Sequence, residues 1–267
     1  MIFVKMHGLG NDFVVLDHRV DGVPMDAALA KAMADRRFGV GCDQLIVLSP
    51  PKNPTADVLM TIYNADGSLS GMCGNAARCV IGLIGKAQII ETSGGLYIGR
   101  LEQKGQASIN MGLPKRDWQS IPMSAAMDTD HVVIPGLDVP TGIAVNVGNP
   151  HIVFFVQDVA AVDLEIIGPK IEHHPLFPER INVEFVQVIS PDHLLMRVWE
   201  RGAGITQACG TGATASFIAA RVKKLCASQA TVEMPGGSLI LSEDTINKEI
   251  IQTGEWTHVF KGEWTIS

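Results

Sequence analysis

Apolar positions along the chain recur mainly in short alternating runs, with only a few stretches long enough and suitably spaced for helices. Residues 2–4 and 13–16 predict strands on either side of a Gly8-Leu9-Gly10-Asn11-Asp12 turn. The spacing predicts a helix over 27–37, a strand over 45–48, a Pro/Asn loop over 50–54, and a strand ending at Tyr63. Residues 76–90 are apolar enough for a buried helix in spite of Gly82 and Gly85. Alternation returns at 96–100 and 107–111. The stretch 114–140 changes character. It holds Pro114, Pro122, Pro135 and Pro140 with little periodicity, so a domain connection is expected to start near its beginning. From Val145 the strand-turn-strand theme repeats, with strands over 183–189 and 194–199. A helix is predicted over 212–224, with Arg221, Lys223 and Lys224 in its last turns, where the dipole favours cations. Residues from 232 onward are rich in strand signals around a Pro235-Gly236-Gly237 turn.

Two of these stretches are copies. Residues 59–78, LMTIYNADGSLSGMCGNAAR, align without a gap on residues 195–214, LMRVWERGAGITQACGTGAT. Cys73-Gly74 falls on Cys209-Gly210, and Asn64 falls on Glu200. A second echo sets Gly10-Asn11-Asp12-Phe13-Val14-Val15 against Gly148-Asn149-Pro150-His151-Ile152-Val153. The simplest account is an internal duplication. The predicted fold is α+β: two pseudo-symmetric domains, each a curled, barrel-like mixed β-sheet around a central helix, with one thiol from each half presented to a shared cleft. The expected division is residues 1–115 carrying Cys73 and residues 116–256 carrying Cys209, with a strand over 257–267 returning to the first half.

Composition narrows the class. Hydrophobic residues make up 46% and charged ones 18%, which supports a packed core and argues against disorder. No apolar run is long enough for a membrane helix, and the first residues lack a secretory pattern, so a cytoplasmic protein is expected. A net charge of −7 without a basic block argues against nucleic acid as a partner. The five cysteines, Cys42, Cys73, Cys79, Cys209 and Cys226, are an odd number with no CxxC pair. They are therefore expected to be thiols in a reducing compartment, with no structural metal site. His173-His174 is a weak hint of a metal ligand and is set aside as loop residues.

The chemistry concentrates at the two duplicated cysteines. Each directly precedes a predicted helix start, where unpaired N–H groups and the positive dipole end favour a thiolate and can dock a carboxylate. Both thiols are expected to ionise more readily than a free cysteine. Gly74 and Gly210 allow close backbone approach, and Asn75 and Thr211 add hydrogen-bonding side chains. A lone Cys-Gly at a cap is usually structural; two in duplicated frames point to acid/base work on one carbon from opposite sides. Gly8-Leu9-Gly10 is not a dinucleotide fingerprint, because Phe13 stands where the third glycine belongs. Glu200-Arg201 reads equally well as an exposed ion pair or as a site at a strand end, and an isolated His151 as structural.

These motifs resemble the diaminopimelate epimerase family. The resemblance is carried by KMHGLGNDF (5–13), NADGSLSGMCGNAARC (64–79), GNPH (148–151), PERINVEF (178–185) and ERGAGITQACGTGA (200–213), and it extends over essentially the whole chain. It implies a cofactor-independent epimerase interconverting LL- and meso-diaminopimelate, a small-molecule substrate, and a homodimer. By the same resemblance Cys73 and Cys209 are the acid/base pair, assisted by His151 and Glu200. Gly74, Asn75, Gly210 and Thr211 hold the reacting carboxylate; Asn11, Gln44, Asn64, Asn149, Asn182, Glu200 and Arg201 bind the rest of the substrate. Two positions depart from the family pattern: Ala76 stands where it has glycine, and Ile205 where it has glutamate, removing a charge near the second cysteine. The other readings are a proline-type racemase or epimerase, a phenazine-type relative on the same fold, and a redox-sensing module using the two thiols as a switch.

Overall fold

The computed structural model describes residues 1–86, 88–103 and 105–265. The chain divides into two compact units, Met1–Asn110 with Thr253–Ser267, and Met111–Gln252.

In the first unit β1 (Ile2–Gly8) and β2 (Asn11–Asp17) form an antiparallel hairpin. Its two turn residues, Leu9 and Gly10, have φ of 55° and 80°, the mirror-image turn that suits strand twist. Helix α1 (Ala27–Ala34) then carries the chain to β3 (Gln44–Ser49), parallel to β2. Strand β4 (Val58–Asn64) returns antiparallel, and the two-residue β5 (Leu69–Ser70) folds back on it. Helix α2 (Gly74–Ile84) crosses over to β6 (Gln88–Thr92), parallel to β4, followed by antiparallel β7 (Gly95–Leu101) and β8 (Gln106–Asn110).

The second unit repeats this order. β9 (Ile143–Asn146) and β10 (Pro150–Val156) are antiparallel, and α3 (Leu164–Glu172) crosses to β11 (Asn182–Ser190), parallel to β10. β12 (His193–Glu200) is antiparallel to β11, with two-residue β13 (Gly204–Ile205) on its end. Helix α4 (Gly210–Val222) leads to β14 (Gln229–Met234), parallel to β12, and then to antiparallel β15 (Gly237–Glu243). Strand β16 (Ile250–Glu255) crosses the division, and β17 (Thr257–Glu263) pairs with β1. Parallel neighbours need a crossover, and a helix supplies it each time.

Both crossover helices behind the cysteines are buried nearly all round by small residues: Ala76 and Ala77 in α2, Ala213, Ala215, Ala219 and Ala220 in α4. α2 lies against β1, β7, β8 and β17; α4 lies against β9, β10, β11, β12, β14 and β15. Each sheet therefore curls around its helix. Val14, Leu16, Leu45 and Met33 fill one core, and Phe154 and Phe185, stacked at 5.2 Å, anchor the other. No helix among the described residues is long and apolar enough to cross a membrane.

Four local expectations are corrected. The helix expected over 76–90 ends at Ile84, because Gly85 turns left-handed (φ 79°) and caps Ile81; the apolar residues beyond it belong to β6. Ala87, in that span, lies outside the described residues. The helix over 27–37 stops at Ala34, where Asp35 leaves helical geometry and its Oδ1 takes the N–H groups of Arg37 and Phe38. The helix over 212–224 begins at Gly210 and ends at Val222, with Lys224 left-handed at φ 59°. Helix α3 was not anticipated. Gly168 and Pro169 disguise it, although Asp163 caps its start by accepting from the Ile166 N–H. The segment 114–140 is irregular, yet its Ile121, Met123, Val132 and Ile134 are part of the second unit's core. The strand expected over 257–267 is β17; residues 266 and 267 lie outside the described residues.

Candidate active site

The polar residues singled out from the sequence fall at equivalent strand ends and helix starts within each unit. In the first, the β2–β3–β4 register puts Phe13 opposite Gln44 and Gln44 opposite Asn64. In the second, His151 stands opposite Asn182, one step before Val183 pairs with Trp199. The duplication therefore maps Asn11 on Asn149, Phe13 on His151, Gln44 on Asn182, Asn64 on Glu200 and Cys73 on Cys209. All lie at one end of their own sheet.

Cys73 and Cys209 are the N-cap residues of α2 and α4, with φ,ψ of −142°, 111° and −126°, 110°. Cysteine is an unusual cap, since serine, threonine, aspartate and asparagine accept N–H bonds better. The first N–H groups after it lie outside the intrahelical ladder, the arrangement that suits an anion at a helix start. Three other thiols are buried and held protonated by that burial: Cys42 and Cys226 are pushed up to about 11, Cys79 to about 12.

Around Cys73, the Sγ donates to Asn11 Oδ1 at 3.7 Å, and Asn75 Nδ2 reaches the same oxygen at 3.5 Å. Arg78, wholly buried in α2, gives its Nη2 to Asn75 Oδ1 and so fixes the way that amide faces. Burial pulls the guanidinium down to about 10, with the nearby Cys79 and Cys73 sulfurs opposing. Asn11 is held from behind by Asp43, whose Oδ2 accepts from Asn11 Nδ2 at 3.0 Å. Gln44 Nε2 donates to Asn64 Oδ1 at 3.0 Å, and Asn64 Nδ2 donates to Ser68 Oγ at 3.0 Å. Gln44 Oε1 is enclosed and accepts nothing among the described residues, an acceptor available to an ammonium.

Around Cys209, the Sγ accepts the Gly212 N–H at 3.3 Å and lies 3.5 Å from Thr211 Oγ1. The expectation of an easily ionised thiol fails here. Burial, then the charges of Glu200 and Glu184, raise Cys209 well above the ordinary thiol value, outweighing Thr211 and Gly212. The helix end is real, but burial, aided by two carboxylates, overrules it. Glu200 Oε1 accepts from Thr206 Oγ1 at 2.5 Å. His151 is fully buried, its Nδ1 2.6 Å from Glu184 Oε1 and its Nε2 2.8 Å from Asn149 Oδ1.

Asn182 is spent largely on the backbone: its Nδ2 donates to Pro150 O at 2.8 Å and its Oδ1 accepts from Arg201 N at 2.9 Å. Arg201 is exposed and gives Nη1 to Glu179 O at 3.1 Å, leaving most of its fork available. Gly74 and Gly210 are buried first residues of their helices, and Gly210 O accepts from Gln252 Nε2 at 2.8 Å. Ala76 is buried inside α2, whereas Ile205 on β13 is 39% exposed. His173 and His174 direct ring nitrogens at the backbone oxygens of Pro169 and Pro135. The sequence reading missed Glu184, Asp43 and Arg78. Glu184 and Arg78 lie inside motifs already quoted, as PERINVEF and the run ending AARC, but only contacts reveal their roles.

The sequence model of the family described as diaminopimelate epimerase matches residues 3–116 and 143–259. A diaminopimelate epimerase of Zymomonas mobilis is 51% identical over 261 residues, covering 98% of this chain and 96% of that protein. One from Rhodospirillum centenum is 49% identical over 266 residues, covering 98% and 91%. Among solved structures, a phenazine biosynthesis protein of the PhzF family from Bacillus anthracis superposes with a TM-score of 0.68 at 13% identity, covering 100% of this chain and 99% of that one. That last likeness speaks for the fold alone.

Proposed function

We propose that this chain, which belongs to the diaminopimelate epimerase family, interconverts LL- and meso-diaminopimelate with its own two thiols, a step toward lysine and peptidoglycan precursors. The observation that carries the reading is the pair of cysteines in duplicated frames, each capping a buried helix. The proline-type alternative is not favoured: relatives near 50% identity over almost the whole chain are diaminopimelate epimerases. A cytoplasmic homodimer belongs to the same reading.

In this reading Cys73 and Cys209 address one α-carbon from opposite sides. One sulfur enters as thiolate and takes the α-proton; the other enters as thiol and gives its proton to the opposite face. The α-carbon thus loses one proton and gains one, and the two sulfurs end with their states exchanged. The α-hydrogen is a very weak acid, so the helix-start N–H groups must stabilise charge building on the carboxylate. Gly74, Asn75, Gly210 and Thr211 are assigned that work, His151 and Glu200 flank the sulfurs, and Asn149 orients His151. Burial and the carboxylates beside it hold Cys209 toward its protonated form, the state of a proton donor. At the unreacted end, the Arg201 fork suits a carboxylate, while Gln44, Asn64 and Asn11 offer oxygens to an ammonium. Asn182 holds the Arg201 backbone in register for this.

The test is turnover in heavy water. Early product should carry solvent deuterium at the inverted centre while unreacted substrate stays largely protiated. Cys73→Ala and Cys209→Ala should each lose several orders of magnitude. Near-parental turnover in either variant, or comparable activity on proline, would remove the assignment.

A further inference from the structure

Glu184 has no part in the chemistry above, yet it occupies the most constrained place near it. It is fully buried on β11, between β10 and β12. Its Oε1 lies 2.6 Å from His151 Nδ1, and its Oε2 is enclosed with no hydrogen-bond partner among the described residues. A third neighbour is the first turn of α4. A Cβ placed on Gly212 would stand 2.9 Å from Glu184 Oε1 and 3.3 Å from Cys209 Sγ. The carboxylate is thus packed directly against the turn whose Gly212 N–H bonds to the Cys209 sulfur. Glycine at 212 leaves it the room.

We propose that Glu184 is a positioning residue of the epimerisation, an inference that rests on the function proposed above: it holds the His151 ring through Nδ1 and keeps a proton on Cys209. An ionised carboxylate only accepts, so this contact requires a hydrogen on Nδ1. On the other side of the ring Nε2 lies 2.8 Å from Asn149 Oδ1, so the imidazole is held at both nitrogens. The titratable groups that face Glu184 are His151 from β10, Glu200 from β12 and Cys209 from α4. Burial raises Glu184 itself; His151 opposes that and Glu200 adds to it. For Cys209 the order is burial, Glu200, then Glu184, all acting against the thiolate. Removing the Glu184 charge therefore makes the thiolate appear at lower pH.

The experiment uses the full chain with Glu184→Gln and Glu184→Asp. Iodoacetamide labelling of Cys209, quantified by peptide mass mapping across pH without substrate, reads the sulfur directly. In Glu184→Gln the labelling midpoint should fall by at least about half a pH unit. kcat should drop about tenfold with KM nearly unchanged, as expected when acid/base positioning and not binding is lost. Glu184→Asp keeps the charge and should keep a midpoint close to the parent's. A parental midpoint in Glu184→Gln overturns the proposal, whatever happens to activity, because it reduces Glu184 to packing. The unsubstituted protein gives a measurement independent of any variant's folding: long-range proton–nitrogen correlations should show Nδ1 of His151 carrying hydrogen at neutral pH. A bare Nδ1 also overturns it. The labelling needs no turnover, so failure of the parent to epimerise diaminopimelate would refute the reaction separately from the coupling of Glu184 to Cys209.

Discussion

Single residues show where reading a sequence for chemistry succeeds and where it stops. Cys73 and Cys209 were found because their frames repeat, but their ionic environments do not repeat. Asn75 and Arg78 accompany the first sulfur, Glu184 and Glu200 the second. Charge at a distance of two strands leaves no trace in local spacing. The same holds for Asp12. Its Oδ2 lies 2.5 Å from Lys5 Nζ and its Oδ1 2.7 Å from Arg36 Nη2, while Arg36 also reaches Asp43 at 2.7 Å. Burial alone would raise Asp12; the hydrogen bonds from Arg36 and Lys5 outweigh it and hold the carboxyl well below its usual range. The sign follows. A folded-state value below the unfolded one gives stability that is present above about pH 4 and is lost as pH falls toward the depressed value. Asp12→Asn should therefore lower Tm clearly at pH 7, and the gap to the parent should close progressively below pH of about 4 in paired thermal melts. An equal gap at pH 7 and pH 3 would mean that packing, not charge, is what Asp12 contributes. Asp12 Oδ1 also accepts the Asp43 N–H at 3.0 Å, and Asp43 orients Asn11, so the same variant should impair turnover at neutral pH.

At the scale of elements, most strands were legible and helix ends were not. Alternation survives in β4, β6 and β12 because one face packs inward and the other outward. The overlong helix from 76 to 90 arose because the apolar content of α2 resumes in β6 after a short connection that the left-handed Gly85 opens. Helix α3 was hidden for the opposite reason. Gly168 reads as a breaker, but its missing side chain makes room for Trp199, whose ring would lie 2.6 Å from a Cβ there. Gly82 in α2 does the same for Trp256: a Cβ would meet the indole at 2.2 Å. Two effects compete in Gly82→Ala. Alanine gains roughly 1 kcal/mol of helix propensity. Overpacking against a seated ring costs about 1–3 kcal/mol, and so deep an overlap belongs at the upper end. Net destabilisation of roughly 1–2 kcal/mol is expected in urea titrations. Trimming the ring in Gly82→Ala/Trp256→Leu should recover part of it. A Gly82→Ala protein more stable than the parent would show that Trp256 is not seated on α2.

The whole molecule is two copies of one topology, and this too was legible, since two stretches of twenty residues align without a gap. The first copy was expected to be completed by a strand over 257–267, but the strand it would pair with was not legible. Its sheet needs β17, made last, against β1, made first. Ile2 pairs with Glu263 and His7 with Thr257; the Met1 ammonium donates to Trp264 O at 2.6 Å, and Trp264 N returns a bond to Met1 O at 2.9 Å. Phe3 packs edge-on to Phe260 at 5.9 Å, and Gly262 lies flat against the Phe3 ring. No periodicity in either strand announces a partner more than 250 residues away. Deleting residues 257–267 strips β1 of these bonds and leaves it an edge strand with Phe3 uncovered. β2, which begins with the proposed substrate ligand Asn11, then hangs on a frayed neighbour. The second unit keeps its own core around Phe154 and Phe185. In the shortened protein, amide exchange should accelerate in β1 and β2 while β10 and β11 stay protected, because local stability follows local contacts. Epimerisation should fall with the first set of amides and not with the second. Unchanged protection of β1 would mean that β17 is dispensable to its sheet; uniform acceleration everywhere would mean that the two units unfold as one, against the independence that their separate cores predict.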